Sequence, residues 1–304
     1  MIDLTMFQGT VVKPRRVTQV AALLIANPFF VYLAGRHIYQ GPLKGVCFPG
    51  FNCYACPLAV FSCPIGALQH SAALMHQKIK WTAIASLLYV AGFITLVGVA
   101  LGRLVCGWFC PFGLIQELLY KIPSPKLRIP GWMRYGKYLT LAGLALLLPL
   151  FTGVHWFSRL CPAGALEGSV PLKLVPPRGG LPVTGWFFWL KIGILGFFIA
   201  WMVFSSRPFC RTACPLGACF ALCTRFSIYR MDVDRTRCDT CGKCRKVCPV
   251  EINIYEEANS PECVRCLECK KACPAGAITS GFKAPLRSGR RLGAEKTEEQ
   301  CLDD

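Results

Sequence analysis

Residues 238–249 read CDTCGKCRKVCP and residues 263–274 read CVRCLECKKACP, two copies of C-x2-C-x2-C-x3-C-P separated by a short insert. This is the spacing by which thiolates hold a pair of [4Fe–4S] cubanes. In that pattern the first three cysteines of a run surround one cluster, and the fourth, before proline, reaches across to the other. Cys238, Cys241, Cys244 and Cys273 are therefore expected around one cluster, and Cys263, Cys266, Cys269 and Cys248 around the second. Structural zinc more often takes two separated Cys pairs, or Cys with His, and no histidine lies nearby. Disulfides would need an oxidising compartment and leave the duplication unexplained. The chemistry these runs imply is one-electron transfer.

Working outward, the composition places this unit beside a membrane. Hydrophobic residues make up 54% of the 304 and charged residues only 16%, outside the range of an ordinary soluble domain. Four segments are long enough to cross a hydrocarbon core about 30 Å thick: Val17–Tyr39, Trp81–Leu101, Tyr138–Phe157 and Gly185–Phe204. Pro28 and Pro149 are expected to be tolerated inside two of them, since neighbouring helices can satisfy the freed carbonyls. The fold class expected is an α-helical membrane protein with four transmembrane helices, plus a small α+β two-cluster unit of the bacterial-ferredoxin type. Its divisions are a tail (1–16), the membrane part with cysteine-rich loops (17–225), the ferredoxin-like unit (226–282) and a disordered tail (283–304) that includes Cys301.

The N-terminus reads as an uncleaved anchor, because Lys13, Arg15 and Arg16 precede an apolar stretch too long for a signal peptide. Residues 1–205 carry 17 Lys and Arg against Asp3, Glu117 and Glu167, whereas the remainder carries 17 against 13. The net charge of +18 thus sits in membrane-flanking loops, suited to anionic lipid head groups and to offsetting cluster charge; no nucleic acid is implied. Lys and Arg are most numerous between spans two and three (Arg103, Lys121, Lys126, Arg128, Arg134, Lys137). By the positive-inside rule the N-terminus, that loop and the ferredoxin-like unit are cytoplasmic.

Twelve cysteines lie outside the two runs. Arg103-x2-Cys106-x3-Cys110-Pro111 follows span two, and Arg207-x2-Cys210-x3-Cys214-Pro215 follows span four. The repetition at equivalent positions argues for ligands of a further cluster at the membrane surface rather than for small buried hydrophobes. A wider unit, Cys-Pro-x-Gly, recurs at Cys63, Cys110, Cys161, Cys214 and Cys273 and points to a duplicated two-span hairpin. The first loop holds Cys47, Cys53, Cys56 and Cys63, with Cys161 on the same side. These thiols read either as another cluster, if the apolar segment Leu58–Met75 re-enters the membrane, or as disulfides on an external face. Cys219 and Cys223 are spare ligands or core.

His37 and His155 at span ends are candidates for a quinone head group, since histidine titrates near physiological pH. Lys191, inside span four, is a candidate because an intramembrane charge is costly, or it snorkels. There is no C-x-x-C-H, no G-x-G-x-x-G and no G-x4-G-K-[ST], so neither c-type haem, a Rossmann site nor a P-loop is indicated.

Over roughly residues 15–282, the spans, the paired Cys-x3-Cys-Pro motifs and the C-terminal cysteine runs resemble the NapH-type membrane ferredoxins, quinol-dehydrogenase subunits associated with periplasmic nitrate reductase. The core is also similar to the membrane parts of NosR and CcoG. The resemblance implies quinol, and menaquinol in particular, as substrate, [4Fe–4S] clusters as carriers, and a partner redox protein. It also implies a bacterial or archaeal inner membrane and an anaerobic respiratory setting. Cys106, Cys110, Cys210 and Cys214 take the paired-motif roles under it. The cysteine-rich first loop and Cys161 depart from that pattern, and neither a NosR-type flavin domain nor a CcoG-type C-terminal domain is present. The other readings are a maturation factor that reduces copper or another metal centre, and a redox sensor.

Overall fold

Asn27-Pro28 breaks the first apolar segment. Proline lacks the N–H a helix interior requires and disfavours helix at the residue before it. In the computed structural model, which describes residues 14–77, 81–179 and 185–283, α1 (Pro14–Ala26) therefore stops at 13 residues and α2 (Val31–Gly35) is a single short turn of helix. The Asn27 side chain donates to Leu23 O at 3.0 Å and pairs with the Asn52 amide at 3.2–3.3 Å, fixing the break. Val17–Tyr39 is thus a discontinuous segment where one helix was expected, and the described helix already includes Pro14–Arg16, part of the stretch read as a tail.

Among the described residues three helices are long and apolar enough to span a membrane: α4 (Trp81–Leu101), Gly131–Thr152 and Trp186–Phe204. Leu88, Leu96, Phe151, Trp189 and Phe197 stand exposed along them, large apolar side chains of the kind that face lipid. The middle helix is displaced toward the N-terminus relative to the expected Tyr138–Phe157. It takes in Lys137, which is fully buried and paired with Glu262, and it ends where Gly153 adopts φ +67. A π-helical stretch, Thr140–Leu147, precedes Pro149 within it.

The chain is built twice over. Cys63-Pro64 opens α3 (Pro64–Gln77), which folds back along α4. The Ser71 and Ser86 hydroxyls meet at 2.8 Å, so Cys63, two turns before Ser71, lies level with the middle of α4. After Leu101 come α5 (Leu104–Trp108) and α6 (Pro111–Leu119). In the second half Cys161-Pro162 opens the helical stretch 162–174; Trp186–Phe204, Pro208–Thr212 and Pro215–Thr224 follow in the same order.

The C-terminal unit is closed by an antiparallel pair, β1 (Tyr229–Val233) with β2 (Ile278–Phe282), in the register Tyr229↔Phe282 to Val233↔Ile278. Two short helices, Lys243–Lys246 and Glu268–Ala272, each carry one member of a cysteine run. Val250, Ile252 and Val264 share one apolar core with Phe112 and Phe209 of the membrane part. The two parts touch backbone to backbone at Gly107, where a Cβ would collide with the Val264 carbonyl. Trp108 Nε1 donates to Arg265 O at 3.0 Å, and Arg265 Nη1 returns a bond to Leu101 O at 2.7 Å.

Candidate iron–sulfur sites

Cys238, Cys241, Cys244 and Cys273 line one cavity, together with Val233, Ile254 and Ile278. Cys248, Cys263, Cys266 and Cys269 line the next, with Met231, Val250 and Val264, and Cys244 stands on the wall between the two. In each, the cysteine before proline comes from the other run. Burial pushes the Cys263 thiol up to about 11 and Cys269 up to about 12, so these sulfurs keep their protons until metal displaces them. Among the described residues no three His, Cys, Asp or Glu side chains converge tightly enough for a single ion. Each cavity is lined by the four thiols that a [4Fe–4S] core takes.

A third set of thiols stands where the two halves meet. Cys106, Cys110, Cys210 and Cys214 are all buried and are electrostatic neighbours of one another. The arginines upstream of the motifs cross over. Arg103 Nη2 donates to Cys210 O at 3.1 Å, and Arg207 Nη1 donates to Cys106 O at 2.8 Å. Gly217 lies 3.5 Å from Arg103 Nη2 and Gly113 lies 3.6 Å from Arg207 Nη2, measured from the position a Cβ would take. Both guanidiniums are fully buried, placing two positive charges beside a site whose cluster would carry net negative charge. Gln116 Nε2 donates to Cys210 Sγ at 3.0 Å.

The Cys-Pro-x-Gly unit has a local physical cause. Cys110, Cys161 and Cys214 are helix N-caps with extended backbone (ψ 112–119) and proline in the first turn. Proline there gives up an N–H that would have no partner anyway. The cysteine sulfur takes the place of a capping oxygen: Gly164 N lies 3.4 Å from Cys161 Sγ, and Gly217 N lies 3.3 Å from Cys214 Sγ. Cys110 has the same extended N-cap backbone without a sulfur cap bond. Thiolates so placed meet the positive ends of helices. Cys273 differs, since it leads through a turn, Gly276 N to Cys273 O at 3.3 Å, into β2.

The remaining candidates are dispersed. Cys47 is buried at a bridge to Ser62, and its thiol is shifted upward by burial alone. Cys53, Cys56, Cys63 and Cys161 lie together deeper in the membrane part. Lys191 joins them, its Nζ 3.2 Å from the Cβ position of Gly164. His155 stacks on His70 with ring centroids 5.7 Å apart, while His37 is exposed. Cys223 packs 2.7 Å from the Cβ position of Gly98 on α4, which makes it a packing residue. Cys301 lies outside the described residues.

Four polar residues that motif reading passed over complete the third site. Glu262 accepts from Arg103 at 3.0 Å and from Lys137; Glu117 accepts from Arg207 at 2.6 Å and from Arg15. Burial alone would raise both carboxyls, but the cations beside them hold both below the usual carboxylate value. Gln116 is the fourth member beside Glu117, Glu262 and Lys137. The signal in the sequence was rarity: Glu117 is one of three acids in residues 1–205.

With this geometry in view, the comparisons with known proteins fall on the same segments. A protein-family profile described as "4Fe-4S binding domain" matches residues 60–82, 82–130 and 186–228, the stretches that carry Cys63, Cys106, Cys110, Cys210 and Cys214. The uncharacterized protein MJ0750 of Methanocaldococcus jannaschii is 28% identical over 56% of this chain and 68% of its own length. The ferredoxin-type protein NapH of Haemophilus influenzae is 26% identical over 77% of this chain and 73% of its own. The regulatory protein NosR of Stutzerimonas stutzeri is 28% identical over 58% of this chain but 24% of its own. This chain is a homologue of NapH and NosR. Among other curated relatives the aligned part is commonly about half of the relative's length. No solved structure matches.

Proposed function

We propose that this protein is a membrane iron–sulfur electron carrier that oxidises a quinol, menaquinol in particular, and delivers electrons singly to a partner redox protein. The observation that carries the reading is the direct seating of the second ferredoxin run on the membrane motif: Val264 against Gly107, Arg265 on Leu101, and Glu262 on Arg103. That contact supports a series of three sites: Cys106, Cys110, Cys210 and Cys214; then Cys248, Cys263, Cys266 and Cys269; then Cys238, Cys241, Cys244 and Cys273. When bound, [4Fe–4S] groups supply one-electron transfer.

The polypeptide holds the sulfurs, excludes water and balances charge with Arg103 and Arg207. On the face away from the ferredoxin-like unit, His155 Nε2 is buried without a hydrogen-bond partner among the described residues. Burial first, then His70 and Arg159, push its titration below the ordinary histidine value. A neutral imidazole there accepts a proton as quinol gives up two electrons and two protons. The N-terminus and the ferredoxin-like unit occupy the cytoplasmic side, and the soluble redox partner docks there.

The test is anaerobic mixing of the oxidised protein with a menaquinol analogue, following the bleaching of iron–sulfur absorbance. Rapid bleaching that is lost in Cys106→Ala, with the ferredoxin-type clusters still reducible by dithionite, is the expected result. Protein that dithionite reduces but quinol does not would overturn the quinol reading.

A further inference from the structure

The series just described leaves two buried thiols, Cys56 and Cys161, two half-buried ones, Cys53 and Cys63, and Lys191 of the fourth expected span unused, and they meet at one place. Cys161 Sγ takes the Gly164 N–H at 3.4 Å, and Cys53 Sγ lies 3.5 Å from the Cβ position of the same glycine. Cys63, the counterpart of Cys161 in the other half, has both of these thiols as electrostatic neighbours. Cys56 follows Cys53 by a C-x2-C turn closed by Cys56 N to Cys53 O at 3.0 Å. All four are free thiols. We propose that Cys53, Cys56, Cys63 and Cys161 bind a fourth [4Fe–4S] cluster, inside the membrane part. This inference stands independently of which electron donor the protein uses.

The surroundings are those an anionic sulfur cage needs. The Gly164 N–H donates to Cys161 Sγ at 3.4 Å, and the Cys63-Pro64-Ile65-Gly66 segment repeats the Cys-Pro-x-Gly unit that places that donor. A neutral thiol gains little from such a donor, whereas a cluster-bound thiolate gains a charge-assisted bond. Lys191 Nζ reaches the same glycine, 3.2 Å from its Cβ position. Its charge, costly in lipid by itself, is matched by the net negative charge of a thiolate-bound cubane. Glu167 fixes the loop by accepting the Cys53 N–H at 2.6 Å. Gly168 abuts Ala55, its Cβ position 3.4 Å from that residue's carbonyl. Gly164 and Gly168 leave the space into which the loop descends.

Depth removes the objection that this loop belongs to an oxidising face. Cys63 lies level with the middle of α4, away from the ends of that helix where a loop on an external face would sit. It also adjoins the third site. Gly50 is packed 3.3 Å from Cys110 Cα, again from its Cβ position, and the Phe51 N–H is directed at Cys110 Sγ. Two residues of chain from Phe51 to Cys53 extend at most ~7 Å. Loading from a carrier exchanges four Fe–S bonds for four, and the protons of these thiols pass to the carrier's sulfurs.

The test is iron and acid-labile sulfide per chain in anaerobically purified wild-type protein, with Mössbauer spectra of the as-isolated and dithionite-reduced forms. Four cubanes give about sixteen of each, all in [4Fe–4S] form. Cys161→Ser should lose about four iron while the signals of the other three clusters persist, and Lys191→Gln should keep the iron but shift one cluster to lower potential. Wild-type protein with about twelve iron, or with a binuclear signal in place of the fourth cubane, overturns the proposal. So does recovery of Cys53, Cys56, Cys63 or Cys161 as a disulfide in the freshly isolated protein. The wild-type count decides the matter even if the variant fails to accumulate.

Discussion

The two halves of the membrane part agree through Arg-x2-Cys-x3-Cys-Pro-x-Gly and part company just beyond it. After Cys110 the first half continues to Gln116-Glu117, whereas after Cys214 the second continues, at the same offsets, to Phe220-Ala221. Arg207 therefore finds its carboxylate, Glu117, within the membrane part. Arg103, its counterpart, has alanine where that acid would stand, and Glu262 of the ferredoxin-like unit supplies the charge instead. The midpoint of each motif differs in the same sense. The first half has Gly107, which admits the Val264 carbonyl; the second has Arg211, buried and paired with Glu251 at 3.1 Å. The thiol site is symmetric, and these departures set how each half meets the ferredoxin-like unit: the first through Arg103–Glu262 and the Gly107–Val264 backbone approach, the second through Arg211–Glu251.

The largest effect should come from removing the borrowed acid. Glu262→Ala leaves Arg103 and Lys137 buried without their partner, and breaking a buried pair in this way costs about 3–5 kcal/mol. The ferredoxin-like unit should become sensitive to protease near Ser227, and its clusters should no longer be reduced through the membrane part. Adding Ala221→Glu gives Arg103 an acid at the position Glu117 occupies for Arg207. It should restore thermal stability of the membrane part without restoring protease resistance. Full recovery of docking would show that Glu262 neutralises charge and does not position the unit.

A smaller loss is expected at Gly107. Gly107→Ala drives a methyl into the Val264 carbonyl, and overpacking of this kind costs about 1–3 kcal/mol. Electron transfer from the membrane site to the ferredoxin-like unit should slow as the interface opens, while iron content stays unchanged. Gly143→Ala, at a glycine whose Cβ would meet nothing within 4 Å, is the control. Equal slowing in both variants would place the interface elsewhere.

How much of this was legible in the chain divides along the same line. The spacing of the C-terminal cysteines proposed two ligand sets with Cys248 and Cys273 crossing, because ligand spacing is a local constraint; the fold puts Cys273 in a cavity with Cys238 and Cys241, Cys248 in one with Cys263, Cys266 and Cys269, and Cys244 on both. The paired Arg-x2-Cys-x3-Cys-Pro motifs were legible for the same reason. The charges were not. Arg15, Arg103 and Lys137 counted as membrane-flanking cations, yet all three are buried against Glu117 or Glu262. A composition count cannot distinguish a cation facing lipid head groups from one paired with an acid more than a hundred residues away. Pro28 was expected to be tolerated within a continuous span; the break there is held by Asn52 from another loop, a partner the local sequence does not reveal. Cys47 differs from Cys53 only in what the fold sets beside it.

The finest contrast between the halves lies at the sulfurs themselves. Cys210 Sγ accepts from Gln116 at 3.0 Å, whereas the residue at the matching place in the second half is Phe220, which has no donor. A hydrogen bond to a ligating sulfur stabilises the more negative, reduced form and raises the potential. Gln116→Leu should therefore lower the potential of the membrane cluster. A net hydrogen bond of about 1 kcal/mol corresponds to roughly 40 mV for one electron. The clusters of the ferredoxin-like unit should not move, because Gln116 is directed at Cys210 and away from them. Redox titration followed by electron paramagnetic resonance resolves the two kinds of cluster in one experiment. A uniform shift of all of them would mean that the substitution loosens the whole interface, and a rise would mean that the amide oxygen faces the sulfur. A selective fall would show that duplication fixed the ligands while later divergence at a neighbouring residue tuned their potential.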